Sequence, residues 1–441
     1  MTAPATPKLP LGRDFGKLWA ASVTSNLADG LGRTAIPLIA TTLTKDPVLI
    51  AGISALAFVP WLLFGVLSGV IVDRVDRRYA MAVANGLRVL AAIAIALLIT
   101  TGAITIWWLY AAVLVFGLAE TVYDNATIAV MPSVVPKGGL ERANSRMQAA
   151  DTLVQNFVAT PIAGVLFAVA IVIPIWSTAA GFAVAGALAL LLPASAARAL
   201  RAEPAAGEAR ATAGADVREA MSFLLGHRFL RNLIAATALI GLMLTLAQAT
   251  SILFLLDTLS VPIWAIGFAT AGVGVGAIAG ALLASFFVEK IGRGRVMFLG
   301  TLVSSIAMAL TGFGPNVWIA VFFYALSAFG ISVWNVSYGS LRQELIPGPL
   351  LGRTIGMIRT ITWGLFPIAA VLGGFLSRID LRLPFWVGGG LSAIVVLVAA
   401  RLMLSSSDQK PYEAPASDAA AEAQDDVAAE PQPRVEPVEP L

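Results

Sequence analysis

Long runs of apolar residues, each about the length that crosses a bilayer, alternate along this chain with short polar breaks. A hydrocarbon core takes roughly 20 apolar residues per helix. Twelve stretches meet that length, at 17–43, 48–72, 79–101, 105–131, 143–169, 171–195, 229–256, 261–288, 296–312, 317–345, 353–377 and 384–405. Several contain proline, at Pro37, Pro60, Pro161 and Pro367. Membrane helices tolerate it because neighbouring groups re-satisfy the freed backbone. The pattern predicts an all-α membrane protein with twelve transmembrane helices.

The polar breaks test this count. With the N-terminus inside, the intracellular breaks carry Arg74, Arg77, Arg78, Lys137, Arg142, the basic run between Arg198 and Arg231, Lys290, Arg293, Arg295, Arg342 and Arg353. The opposite side carries only Lys45, Arg378 and Arg382. Cytoplasmic loops are enriched in Lys and Arg, and a missed helix would scramble the asymmetry. Both termini are therefore expected in the cytoplasm. Met1–Gly16 is polar and has no apolar core after a basic start, so no cleaved signal peptide is expected.

The longest interruption, 194–228, is rich in Ala, Glu and Arg and separates six stretches from six. Within it Val217–Leu225 has a helical pattern suited to the membrane surface. The tail from 406 carries nine acids against Lys410 and Arg434, with little apolar content, and is expected to be disordered. The expected organisation is a cytoplasmic N-terminus (1–16), an N-terminal six-helix bundle (17–195), a cytoplasmic linker (196–228), a C-terminal six-helix bundle (229–405) and an acidic cytoplasmic tail (406–441).

Composition points to lipid as the solvent. Hydrophobic residues make up 58% and charged residues 12%, with mean hydropathy +0.84; soluble proteins carry about 25% charged residues. There is no cysteine, which excludes disulfides and thiolate metal sites, and the single His227 excludes a histidine cluster. No catalytic constellation appears, so an enzyme is not expected. No glycine-rich phosphate loop with lysine appears, so an ion gradient, not ATP, is the expected energy source. No cofactor, metal or nucleic-acid partner is expected. The expected partners are a small-molecule substrate, protons and the bilayer, and the chain is expected to act as a monomer.

The two halves repeat one another. Asp73-Arg-Val-Asp-Arg77 through Met81 matches Glu289-Lys-Ile-Gly-Arg293 through Met297, 216 positions on; Pro136 to Arg142 matches Pro347 to Arg353, 211 positions on. Duplicated bundles with a site between them are a common secondary-transporter architecture.

The stretch Gly69-Val-Ile-Val-Asp73-Arg74-Val-Asp-Arg77-Arg78 resembles the loop between helices 2 and 3 of the major facilitator superfamily, with Asp76 where most members have glycine. The Asp-Arg-x-Asp-Arg-Arg version is similar to the drug:proton antiporter branch, which includes enterobactin-exporter-like and macrolide-efflux-like proteins. Phe116-Gly-Leu-Ala-Glu120-Thr-Val-Tyr-Asp124 and the run from Arg342 to Arg353 resemble the same branch. Thr160-Pro161-Ile-Ala-Gly164 resembles a degenerate form of the exporters' helix-5 motif, and reads equally as a proline kink with a small packing residue. The resemblance covers about residues 13–405. It implies the major facilitator fold, two pseudo-symmetric six-helix bundles, and efflux by antiport of the kind that underlies multidrug resistance.

A charge at mid-membrane costs at least ~2.5–3.5 kcal/mol and survives facing protein or a wet cavity. Asp29 and Arg33 on the first helix, and Glu120 and Asp124 on the fourth, are each spaced i,i+4 and share one helix face. The resemblance implies that both helices line the central cavity, which would gather three acids and one base. Three nearby carboxylates in low dielectric cannot all stay ionised, so Asp29, Glu120 and Asp124 are the candidate proton carriers, Asp29 first. Arg33 could instead merely neutralise the acids and lock the two helices together. Arg33 is also a candidate substrate contact, with Asn26, Gln155, Asn156, Gln248, Trp334 and Asn335. The polar residues among these read equally as interhelical hydrogen bonding. Arg88 carries no assigned role, and Asp151 and Arg359 read as gate partners. Trp61 and Trp363 also lie deep in their helices, where a cavity wall and a packed or lipid-facing place are equally expected.

The cytoplasmic gate is expected at Gly69, Asp73, Arg74, Arg77, Arg142, Glu289, Arg293 and Arg353. A helix N-terminus favours a carboxylate, so Asp73 is expected at Gly352–Thr354 and Glu289 at Arg142–Asn144 when that end closes. The sum of these features favours export of a drug, secondary metabolite or siderophore. A nutrient importer of the same fold, or a non-transporting receptor or assembly factor, are the alternatives.

Overall fold

The computed structural model describes residues 11–136, 139–193 and 213–409. Every regular element in them is helical. The first half comprises α1 (Arg13–Leu43), α2 (Pro47–Arg74), α3 (Arg77–Thr100), α4 (Ile106–Val134), α5 (Leu140–Leu153 continuing through Val154–Ala159 and Thr160–Val169) and α6 (Ile173–Leu190). The linker helix α7 (Ala213–Gly226) follows. The second half comprises α8 (Arg228–Thr258), α9 (Ile263–Ile291), α10 (Arg293–Phe313), α11 (Val317–Leu345), α12 (Gly348–Trp363 and Phe366–Ile379) and α13 (Leu383–Val398 and Ala400–Leu404).

Nine of these helices are long and apolar enough to cross a membrane, ten if the bent α13 is one span. The other two spans expected from the sequence correspond to α1, which carries Asp29 and Arg33, and α5, whose first turns are polar. Those two helices are depleted in apolar residues because they face water-filled space.

Sequence chemistry sets the ends and breaks. Asp46 caps α2 by accepting from the Val48 N–H at 3.0 Å, beside Pro47 at the first helical position. Asp76 caps α3 in the same way through Arg78 N. His227 caps α8 with Nδ1 accepting from Leu230 N at 3.2 Å. Ahead of Pro161, α5 widens into a π turn over Val154–Ala159, and Thr160 Oγ1 donates to the Gln155 carbonyl at 3.1 Å. Proline removes a backbone donor, and a π turn is one way to re-aim the side chains around the gap.

The outer surface is apolar: Leu90, Leu282 and Val398 are 66%, 76% and 82% exposed, as suits a lipid solvent. Inside each half, helices approach through small residues. A Cβ on Gly300 of α10 would lie 3.0 Å from the Gly330 carbonyl of α11. Among the described residues, the buried clusters that join the two halves lie at one end. There Ile36, Ile39 and Ile50 of the first half pack in one cluster with Leu253, Val261 and Ile266 of the second. Toward the other end the buried clusters around Met81 and Tyr123, and around Met297 and Tyr338, each stay within their own half. The sealed end carries the α1–α2 connection, on the side expected to be extracellular.

Two ion pairs tie the halves across that sealed end. Lys45 Nζ donates to Asp257 Oδ1 at 2.9 Å, and Arg378 donates to both oxygens of Asp46 at 2.9 and 2.5 Å. The hydrogen bonds from Arg378 hold the Asp46 carboxyl below its ordinary range. At the opposite end, Glu289 is exposed, and among the described residues it makes no contact with the start of α5. Arg293 forms a two-fold bond with Glu344 of α11, both contacts 2.6 Å. Arg77 is buried and donates to the Ala129 carbonyl at 2.7 Å. Arg74 is exposed, and Gly69 and Arg142 are half-buried. The side chains of Asp73 and Arg353 lie outside the described residues, as do 194–212 of the linker and the tail from 410.

Candidate functional site: a charged cavity between the halves

The face of α1 that bears Asp29 and Arg33 turns inward as the i,i+4 spacing predicts, but the two side chains part company. Arg33 forms an ion pair with Glu120 of α4. It is 58% exposed, to the cavities it lines, while Glu120 is 15% exposed. Asp29 is 8% exposed and pairs with Arg88 of α3 at 3.3 Å. The alternative in which Arg33 neutralises the acids accounts for Glu120 only, because Asp29 has its own cation, Arg88 of α3.

Arg88 is wholly buried. Its Nη1 also donates to Ser25 Oγ at 3.2 Å and Asn85 Oδ1 at 3.3 Å, and its guanidinium lies over the rings of Phe182 (4.9 Å) and Tyr123 (5.7 Å). Four helices therefore grip one cation. A buried arginine at this depth is tolerable because a carboxylate, two oxygens and two aromatic faces surround it. The sequence did hold a signal: Arg88 is flanked by apolar residues on both sides, which marks a cation that must find a partner.

Asp124 lies one turn from Glu120, half-buried, and makes no ion pair among the described residues. Both line a cavity of about 880 Å³ that reaches from Arg33 to Asn144 and Gln148 near the start of α5. The π turn of α5 presents Gln155 to this space. Gln155 Nε2 donates to Asp151 Oδ1 at 2.6 Å and Asn26 Oδ1 at 3.2 Å. Asp151, expected to be a gate partner, is therefore part of the cavity wall. The side chain of Asn156 lies outside the described residues. A smaller lobe of about 290 Å³ joins Asp29, Arg33 and Glu120.

The second half contributes a lobe of about 660 Å³. Gln248, Trp334 and Asn335 line it, as the sequence suggested. So do Arg342, Arg359 and Trp363, which sequence reasoning left out of the cavity. Arg359 and Trp363 belong to both large lobes, and Trp61 lines the first-half lobe. Depth alone left Trp61 and Trp363 open between a cavity wall and a packed or lipid-facing place; both line the cavity and lie under the guanidinium of Arg359, at 4.8 and 3.8 Å. Among the described residues no group of three or more His, Cys, Asp or Glu side chains is placed to hold a metal ion.

An all-helical bundle with a charged cavity between repeated halves matches known proteins closely enough to assign it. The sequence pattern of the transmembrane secretion effector family fits residues 5–438. The chain belongs to this family of the major facilitator superfamily. Its similarity extends to the enterobactin exporter EntS of Escherichia coli O1:K1, 28% identical over 312 residues, 69% of this chain and 71% of the exporter. EntS of Shigella boydii serotype 4 is 27% identical over 367 residues, 82% of this chain and 84% of that one. Among solved structures, a bacterial homologue of the iron transporter ferroportin in its inward-facing state superposes with a TM-score of 0.69 at 17% identity, covering 91% of this chain and 100% of that one. The nucleoside transporter NupG gives 0.68 at 14% identity, covering 89% and 99%. These superpositions establish the major facilitator fold. The protein is a multi-pass membrane transporter of a bacterial exporter family, and not an enzyme.

Proposed function

We propose that this protein exports a small molecule, a siderophore, drug or secondary metabolite, across the cytoplasmic membrane in exchange for protons. The two bundles, about 17–195 and 229–405, rock about the central cavity, and both termini face the cytoplasm. The observation that carries this reading is the grouping of Asp29–Arg88, Arg33–Glu120 and, unpaired among the described residues, Asp124 around one cavity between the halves. Protonation of an acid paired with a cation neutralises the carboxylate and releases the cation, whose charge must then find another partner. Asp29, Glu120 and Asp124 are thus the proton-carrying candidates, and movement of one proton frees one arginine.

In this reading the sealed end is extracellular and the cavity stands open to the cytoplasm. On closing, Asp73 docks at the start of α12 and Glu289 at the start of α5, where the helix N-terminus favours a carboxylate. The relatives are named for enterobactin, which makes it the first compound to try.

Inverted membrane vesicles test the reading. With an imposed pH gradient, they should accumulate enterobactin or another member of an amphipathic panel, and an uncoupler should abolish the accumulation. Uptake indifferent to the pH gradient would overturn antiport. Accumulation confined to right-side-out vesicles would overturn export.

A further inference from the structure

We infer that the wall contributed by the C-terminal half is a receptor for a planar aromatic ring bearing an anionic oxygen group. The inference rests on the transport reading above and adds the chemical class of the cargo. It starts from charge placement. Among the described residues, Asp124 and Asp151 on the first-half wall make no ion pair, and neither do Arg342 and Arg359 on the second-half wall, although Arg359 also borders the lobe that holds both acids. The first half holds the groups that could take a proton. The second holds cations that need an anion, and an unpaired cation in this setting is costly.

The cations are also shaped for a flat ligand. Trp334, Tyr338 and Arg342 stand at i, i+4 and i+8 on α11, one above another. The two rings stack at 4.6 Å with an interplanar angle of 18°, and the Arg342 guanidinium lies 4.3 Å from the Tyr338 centroid. Arg359 lies over Trp363 and Trp61. A guanidinium stacked on a ring face keeps its N–H groups at the edge, in one plane, free to grip two oxygens of a carboxylate or phenolate. Trp334 lines the lobe although only 6% exposed, and its buried Nε1–H has no acceptor. A buried indole N–H ordinarily finds a partner, and an oxygen of the cargo would supply one.

Trp61 belongs to the first half, and Arg359 and Trp363 to the second. The aromatic bridge through Arg359 therefore crosses the line along which the halves part. A ligand held there touches both halves and is sensitive to their motion.

Titration calorimetry of the full chain in lipid nanodiscs tests this with three probes: 2-naphthoate, 2-naphthylmethylammonium and cyclohexanecarboxylate. Naphthoate should bind about tenfold or more tighter than either of the others, the scale of one charge-assisted contact. Arg359→Gln and Arg342→Gln should each weaken naphthoate by about tenfold, with melting temperatures retained, and Arg359→Lys should recover part of the loss. Equal or tighter binding of the ammonium probe would overturn the assignment. So would naphthoate binding unchanged in the Arg342→Gln, Arg359→Gln double variant. Binding is read without transport, so the pattern can hold while vesicle export fails. That combination would sink the export reading and leave the ligand class standing.

Discussion

Asp29 and Arg33 lie one turn apart on α1, yet Asp29 pairs with Arg88 of α3 and Arg33 with Glu120 of α4. The i,i+4 spacing brings side chains to one face, but it does not oblige them to pair. Arg88 lies fully inside the bundle and offers Asp29 a desolvated cation, while Arg33 extends into the cavity. One pair is structural in its surroundings and the other is wet, so loss of each should read differently.

Arg88→Gln should destabilise the protein by roughly 3–5 kcal/mol, because it strands a buried carboxylate. Asp29→Asn strands Arg88 instead, and the double variant should lose less than the sum of the two. Thermal melting in detergent measures all three. In vesicles Asp29→Asn should also abolish proton-driven export, while exchange of substrate for substrate continues. Normal gradient-driven export by a folded Asp29→Asn protein would remove Asp29 as the carrier.

Glu120→Gln should alter stability by less than roughly 1 kcal/mol, since Arg33 is more than half exposed and water screens the pair. Its effect should fall on transport: without the carboxylate, Arg33 becomes a fixed positive charge at the junction of three lobes. The third of these lobes, about 490 Å³, lies between Phe157 and Thr160 of α5 and Tyr324 of α11. We expect slower export with an unchanged melting temperature. A melting temperature that falls as far as that of Arg88→Gln would show that the pair is a structural tie.

Much of this was legible in the chain. Apolar run length and loop charge placed helix boundaries mostly within a few residues, because a bilayer enforces length and basic residues enforce topology. The acids of α1 and α4 were legible as cavity residues because nothing else lets a charge sit at that depth. What stayed hidden depended on rotation about helix axes. Whether Arg88 points at α1 or Trp61 at Arg359 is fixed by packing against helices distant in sequence, and α3 and α12 supplied no repeated polar spacing to reveal it. The π turn of α5, which aims Gln155, was equally invisible, although Pro161 marked its neighbourhood.

The sealed end should depend on charge order. Lys45 and Asp46 are adjacent and opposite in sign, and each meets its complement on the other half. Asp46→Arg or Arg378→Asp alone should favour separation at that end, and the exchanged pair should restore closure, as read by spin-label distances between α2 and α12. Proton supply should not do the same. Pairing lowers the Asp46 carboxyl below its ordinary range, so its contribution to closure is complete above that range and is lost as pH falls through the lowered value. Between pH 8 and pH 5 the Asp46–Arg378 pair should itself stay formed, so its variants should differ from the parent by the same distance throughout. A change in that difference within the window would show that other groups control this end.

The glycines at the crossing of α5 and α9 give a steric version of the same test. A Cβ on Gly267 would lie 2.5 Å from the Thr160 carbonyl oxygen and 2.7 Å from Pro161 Cα, and one on Gly164 would lie 3.1 Å from Gly267 N. These are backbone atoms on opposite halves, so no rotamer change relieves the clash; the halves must separate. Gly267→Ala should therefore shift the protein away from the sealed state while each half keeps its own packing. Gly280→Ala provides the contrast, because its Cβ would meet the Phe329 backbone within the second half, 3.0 Å from Phe329 Cα. That change should lower the melting temperature with no preference between states. Accessibility of a cysteine placed at Ser54, which lines the lobe toward the sealed end, to a membrane-impermeant reagent from the extracellular side separates the two outcomes. Gly267→Ala should raise the labelling rate and Gly280→Ala should not. Equal rates in both would mean that the close approach of α5 and α9 does not govern the sealed end.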